Sequence, residues 1–112
     1  MSRRGDFELI CDIKEAVKRI EDYIIGLTFI KFLDDVKTQD AITRNLEIIG
    51  EAVKNIPSDV KDKHPDVEWK KIAGLRDILA HEYFGIDIEI LWDIVENKLP
   101  DLKKEISRLL KK

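Results

Sequence analysis

Apolar residues recur along this chain at alternating spacings of three and four residues, and this spacing is the strongest constraint on its fold. Side chains spaced in this way share one face of an α-helix, because the helix completes a turn about every 3.6 residues. The first stripe is Phe7, Ile10, Ile13, Val17, Ile20 and Ile24, and the second is Ile42, Leu46, Ile49, Val53 and Ile56. We expect a first helix from about Asp6 to Ile25 and a second long helix that ends before Pro57.

The segment between the two stripes predicts a short helical turn. Thr28 is a suitable cap for a turn that ends at Asp34, because its hydroxyl can accept a hydrogen bond from a free backbone N–H. Four apolar side chains of this turn are expected to pack inward: Phe29, Ile30, Phe32 and Leu33.

The second half of the chain predicts further helices joined by short connections. The polar stretch 58–65 is typical of a single helical turn, and the third main helix is expected to begin at Asp66 or Glu68. A fourth helix should be interrupted by Pro100 and followed by a last one, because proline lacks the N–H that a helix interior needs. The sum is an all-α, antiparallel bundle of four to five helices, with residues 1–112 forming one domain.

Composition narrows the classes of function. One cysteine among 112 residues indicates a reducing compartment, and no apolar run approaches the roughly 20 residues that a membrane span needs. The start MSRRGDFE lacks the apolar segment of a signal peptide, so a cytoplasmic protein without membrane contact is expected. The net charge of −3 gives no general attraction for nucleic acid, so any contact with RNA must be local. A bundle this small is expected to leave part of its apolar helix faces exposed, and this favours a homodimer that covers them.

Four side chains that could take part in catalysis or binding lie close together near the end of one predicted helix. Asp77 and His81 are four residues apart and share a side, so the carboxylate could set the tautomer of the imidazole. Arg76 and Tyr83 are seven apart and also share a face. Arg76 and His81, however, lie about 140° apart around a regular helix. Either the helix loosens, or the long side chains converge, or two subunits each contribute.

A binding role and a plain structural role both fit these residues. Arg76 falls in the apolar sector of its helix, where a guanidinium is costly to bury, which suggests a groove or subunit seam that holds an anion. It could equally extend its charged end to solvent, and a surface His–Asp pair is often only a weak ion pair. Asn45 and Glu51, about 120° apart on the second long helix, are further candidates for lining a cleft. Glu51 is explained as well by a helix-surface carboxylate.

No pattern of metal ligands or of a phosphate-binding glycine loop is present in the sequence. There is no HExxH helix, no CxxC pair and no GxSxG elbow. We therefore expect no metal and no cofactor.

The string RDILAHEY, from Arg76 to Tyr83, resembles the R-x4-H-x-Y motif of the HepT-like toxins, a prokaryotic branch of the HEPN superfamily. The phrase TQDA, the stretch RNLEIIGEAVKNIP, the lead W-x2-I-x-GLRD and the continuation HEYFGID resemble the same family. The resemblance implies a HEPN fold and a homodimer whose two motif helices meet at a shared cleft. Many members carry Asn where this chain has Asp77.

The resemblance also implies an activity and a partner. The activity is that of a metal-independent endoribonuclease, the toxin of a toxin–antitoxin pair. RNA supplies its own 2′-OH nucleophile, so His81 would act as acid or base and Arg76 would stabilise the phosphorane, with Asp77 and Tyr83 in support. The partner would be a nucleotidyltransferase antitoxin of the MNT type that adenylylates Tyr83. The alternatives are a non-catalytic nucleotide- or partner-binding HEPN dimer and a scaffold bundle whose motif helix only dimerises.

Overall fold

The computed structural model describes residues 5–80 and 88–110, with side-chain positions described for 5–74 and 88–110. These residues form seven α-helices and one π-helical turn, without a strand among them. The helices are α1 Asp6–Tyr23, α2 Phe29–Leu33, α3 Val36–Lys54, α4 Ser58–Lys63, α5 Trp69–Ala80, α6 Ile88–Asp93 and α7 Leu99–Leu110. The π-helical turn, Ile94–Lys98, joins α6 to α7. The prediction of an all-α bundle is confirmed.

The two apolar stripes form the centre of the bundle, where α1 packs against α3. Stripe members with no exposed surface on these helices are Ile13, Ile20, Ile42, Leu46, Ile49 and Val53. Phe7 was expected to belong to this core but is 67% exposed. It lies in the first turn of α1, while Leu9, two residues later, lines the same groove as Asn55, the residue that follows α3. Phe7 therefore extends past the surface that its stripe packs against.

Capping interactions set the boundaries of α1, α2 and α3. The Gly5 N–H donates to the Glu8 carboxylate over 3.1 Å at the start of α1, and Gly26, with a φ of 73°, follows its end. The Thr28 hydroxyl accepts a hydrogen bond from the Lys31 N–H at 3.2 Å, which confirms the predicted cap of α2. Asp35 caps α3 through Thr38, and this pairing with the Thr38 hydroxyl and N–H lowers the pKa of the Asp35 carboxyl.

The short helix α2 buries only one of its sides. Phe32 is fully buried, with its ring centroid 4.9 Å from that of Trp92, and Phe29 lies 6.0 Å from the same indole. Ile30 and Leu33 are 75% and 46% exposed, so the expectation that all four apolar residues pack inward is wrong. A helix of little more than one turn that lies on a flat surface presents only one sector of its circumference to that surface.

The helix α5 packs on the side of α3, while α7 packs on α1. The predicted start of this helix at Asp66 or Glu68 is close to the observed one, since the Glu68 carbonyl accepts the first helical hydrogen bond, from the Ile72 N–H. The Trp69 indole N–H donates to the His64 carbonyl at 3.0 Å and fixes the connection to α4. The order of the main helices across the bundle is therefore α5, α3, α1, α7.

The final segment was expected to be interrupted at Pro100, and the structure corrects this. The backbone stays helical from Ile88 to Leu110, and the Leu99 N–H donates to the Ile94 carbonyl, five residues back. This wider turn directly precedes Pro100, whose ring would otherwise meet the carbonyl of the residue four positions earlier. The proline is thus accommodated by a π-helical turn rather than by a break.

None of the helices within the described ranges is both long and apolar enough to cross a membrane.

The buried and exposed sides of α2 predict mutational effects of very different size. Phe32→Ala removes a fully buried ring and should lower the free energy of unfolding by about 3–5 kcal/mol. Ile30→Ala, two residues away on the exposed side, should change it by less than about 0.5 kcal/mol. Urea unfolding followed by circular dichroism measures both values. Equal losses for the two variants would contradict the packing of α2.

Candidate functional site

The motif predicted from the sequence begins on α5. The backbone of this helix continues through Arg76 and Asp77 to Ala80, and α5 is anchored on α3. His81 and Tyr83 lie outside the described residues, as do the side chains of Arg76 and Asp77. The helical backbone to Ala80 matches the expectation that Arg76 and Asp77 stand on a helix. Their meeting with His81 stays a prediction.

Asn45 lies in the interior of the bundle. It is 4% exposed, and its amide nitrogen donates to the Ala41 carbonyl one turn earlier on α3 at 2.9 Å. Its side-chain oxygen accepts no hydrogen bond within the described part of the chain, and the same holds for the Thr43 hydroxyl. A buried amide oxygen without a donor costs about 1–3 kcal/mol, so an apolar residue would suit the fold better.

Glu51 lies in a different place, on the exposed side of α3. There it lines an open groove of about 500 Å³, which we call the α1–α3 groove. The lining residues are Leu9, Asp12, Arg44, Glu47, Ile48, Glu51, Ala52 and Asn55. Asn45 and Glu51 are therefore not brought together, as their angular separation around α3 indicated.

The α1–α3 groove as a whole was not predicted from the sequence. Its floor is apolar, from Leu9, Ile48 and Ala52, and its charged groups are one guanidinium and three carboxylates. The signal that could have found it is the recurrence of Arg44, Glu47 and Glu51 at spacings of three and four on the side of α3 opposite the apolar stripe. Charged residues at this spacing are usually interpreted as the solvent-exposed face of an amphipathic helix, so they do not by themselves indicate a groove.

A smaller groove of about 270 Å³ lies between α1 and α7. Lysines line it, but Lys103 pairs with Glu21 at 3.0 Å and Lys18 pairs with Asp22 at 3.6 Å. The first of these ion pairs joins α7 to α1, and the second lies within α1. Because two of its cations are already matched, this groove is a weaker candidate for binding an anion.

Metal-binding geometry is not found in residues 5–80 and 88–110, where no group of three or more His, Cys, Asp or Glu side chains could hold a metal ion.

Comparison with known proteins identifies the family. Residues 13–109, which include α3, α5 and the motif, match the family described as Ribonuclease HepT-like. The chain belongs to this family. Membership confirms the resemblance to the HepT-like HEPN proteins that the motif indicated, and with it the assignment of the chain as a ribonuclease.

Individual relatives span nearly the whole chain. A Methanocaldococcus jannaschii protein named as a candidate RNase is 55% identical over 111 residues, which are 99% of this chain and 92% of the relative. A Thermococcus cleftensis protein named "Probable ribonuclease HepT" is 45% identical over 109 residues, or 97% of this chain and 99% of the relative. No solved structure matches the chain at a significant level of similarity.

The burial of Asn45 predicts a gain in stability when its polar atoms are removed. Asn45→Leu keeps the branching of the side chain and removes the oxygen that finds no donor among residues 5–74 and 88–110. The urea midpoint of this HepT-like protein should stay level or rise, by the equivalent of up to about 1 kcal/mol. A fall of about 2 kcal/mol or more, measured in the same urea titration, would show that the amide contributes to the fold.

Proposed function

We propose that this chain is a metal-independent endoribonuclease and the toxin of a toxin–antitoxin pair. The observation that carries the proposal is the R-x4-H-x-Y motif, which begins on α5 in a chain that belongs to the Ribonuclease HepT-like family. The names of the two relatives, a candidate RNase and a ribonuclease HepT, support the same activity. An RNA substrate is consistent with a cytoplasmic protein.

The proposed reaction uses the 2′-OH of RNA as its nucleophile. His81 accepts the proton of the 2′-OH, and the oxygen attacks the adjacent phosphorus. The bond from phosphorus to the 5′-oxygen then breaks, and that oxygen takes up a proton from an imidazolium. The products end in a 2′,3′-cyclic phosphate and a 5′-OH. Arg76 stabilises the negative charge of the phosphorane with its fixed cation, so the chemistry needs no metal.

A homodimer supplies the two proton-transfer groups in this proposal. Arg76 and His81 diverge by about 140° on one regular helix, so one copy does not easily direct both at the same phosphate. Two copies of the motif around one cleft offer an acid from one chain and a base from the other. Asp77 would orient the imidazole, and Tyr83 would bind the phosphate or stack on a base.

Regulation by a nucleotidyltransferase antitoxin of the MNT type completes the proposal. The phenol oxygen of Tyr83 would attack the α-phosphorus of ATP, forming a tyrosyl-AMP bond and releasing pyrophosphate. The attached group adds bulk and a negative charge two residues from His81 and on the Arg76 face. It would block RNA by occupancy and by repulsion.

A non-catalytic dimer that binds a nucleotide or a partner is the second candidate. The net charge of −3 and the three carboxylates of the α1–α3 groove favour it, because both repel RNA. Tight binding of nucleotide or partner by wild-type protein that leaves every RNA intact would support this candidate.

The two functional residues have a direct test with a matched control. His81→Ala and Arg76→Ala should each lower the rate of single-stranded RNA cleavage in EDTA by at least about 100-fold, with helicity unchanged. His64→Ala changes the only other histidine, in the connection before α5, and should leave the rate within about twofold. Undiminished cleavage by both motif variants would refute the proposed site.

A further inference from the structure

The chain enters α1 close to the α1–α3 groove. Gly5 is the N-cap of α1, its backbone is extended, and its N–H donates to the Glu8 carboxylate in a capping box. Leu9, the fourth residue of the helix, lines the groove, and Asp12 lines it about one turn further along α1. A side chain just before Gly5 is therefore near enough to reach the groove.

Arg4 holds the position immediately before the N-cap of α1. A side chain at this position often packs on the fourth residue of the helix, here Leu9, and so fixes the direction from which the chain enters. The arginine side chain has a long aliphatic stem for such a contact and carries its charge at the end. A stem that lies over Leu9 directs the guanidinium toward Asp12, the next groove residue of α1.

Two carboxylates line the groove from different helices, Asp12 from α1 and Glu51 from α3. Each has an interaction of its own, and none of the ion pairs that join described residues to one another includes either of them. Arg44 lies seven residues from Glu51, about 10 Å along α3, which is beyond the spacing of ion pairs on one helix. A planar guanidinium has donors on several sides, so one arginine can serve two carboxylates at once.

We propose that Arg4 docks in the α1–α3 groove and bridges the Asp12 and Glu51 carboxylates, so that the arm formed by residues 1–4 straps α1 to α3. The bridge identifies a partner for the two carboxylates and needs neither of them to be unpaired. Side chains alternate in direction along an extended segment, so Arg3 points away from the groove. The two adjacent arginines therefore have different roles.

Other occupants match the groove less well. An RNA strand would meet three carboxylates and one guanidinium, a net charge that repels phosphate. A second copy of the chain would bring the same excess of carboxylates to itself. A basic segment of another protein would compete with Arg4, which is tethered next to the groove and is therefore present at a high effective concentration.

The inference goes beyond the proposed function and does not rest on it. The strap acts on the packing of α1 against α3, whereas the proposed chemistry belongs to the motif that begins on α5. Stability and RNA cleavage are separate measurements. A failure of the strap would leave the test of His81 and Arg76 unaffected.

Substitution of the two arginines tests the strap, and each variant is the control for the other. Arg4→Gln should lower the urea midpoint at low salt by about 0.3–0.6 M, because it removes the cation between two carboxylates. Arg3→Gln removes the same charge from the neighbouring position and should shift the midpoint by less than about 0.1 M. At about 1 M NaCl the difference between the variants should shrink, since salt screens exposed charges.

A double-mutant cycle shows whether Arg4 acts through Glu51. Glu51→Gln should also lower the midpoint, and the double variant should lose clearly less than the sum of the two single losses, because both changes break one contact. Glu47→Gln alters a different carboxylate of the same groove and is the matched control. Its effect should add to that of Arg4→Gln.

Limited digestion with trypsin, which cuts after arginine, reports on the arm itself. A docked arm is poorly accessible, so its removal before Gly5 should be about fivefold faster or more in Glu51→Gln than in wild type. In Glu47→Gln the rate should stay within about twofold of wild type. Mass spectrometry identifies the shortened chain.

Several outcomes would overturn the inference. They are an unchanged midpoint for Arg4→Gln, equal losses for the two arginine variants, full additivity of Arg4→Gln with Glu51→Gln, and equal rates of arm removal in all three proteins. Loss of RNA binding by Arg4→Gln with an unchanged midpoint would also overturn it and would assign this arginine to RNA.

Discussion

The packing of α1 against α3 is the interaction on which the other elements depend. Ile13 and Ile20 of α1 and Ile42, Leu46 and Ile49 of α3 have no exposed surface. Burying such a side chain contributes about 1.5–3 kcal/mol, so this seam holds a large share of the hydrophobic stabilisation. Both remaining main helices rest on it, with α5 on the outer side of α3 and α7 on the outer side of α1. The backbone of Arg76 and Asp77 on α5 therefore rests on a helix that this packing holds in place.

Hydrophobic periodicity predicted the helices because it reports direction around a helix axis, which is the same information that packing uses. It does not report position along the bundle, so it included Phe7, which lies in the first turn of α1 and is 67% exposed. It also could not limit how much of a five-residue helix touches its support, which is why Ile30 was misplaced. A break was expected at Pro100 because the sequence does not show that a π-helical turn, with hydrogen bonds to the residue five positions back, would accommodate the proline.

The candidate site also has features that could be predicted from the sequence and features that could not. The R-x4-H-x-Y motif indicated the family only together with the TQDA and RNLEIIGEA stretches ahead of it, and all of these are local patterns that can be read in the sequence. The burial of Asn45 could not be foreseen, since it depends on which side of α3 is covered by neighbouring helices. Polar residues on a helix have the same appearance in a sequence whether they face solvent, a core or a second subunit.

The most direct test of the central claim is the chemistry of the RNA ends that the purified protein leaves in the presence of EDTA. Attack by the 2′-OH predicts fragments that carry a 2′,3′-cyclic phosphate and a 5′-OH by mass spectrometry, and no cleavage next to a 2′-deoxy nucleotide. Fragments with a 5′-phosphate and a 3′-OH, or cleavage that appears only when a divalent metal is added, would contradict it.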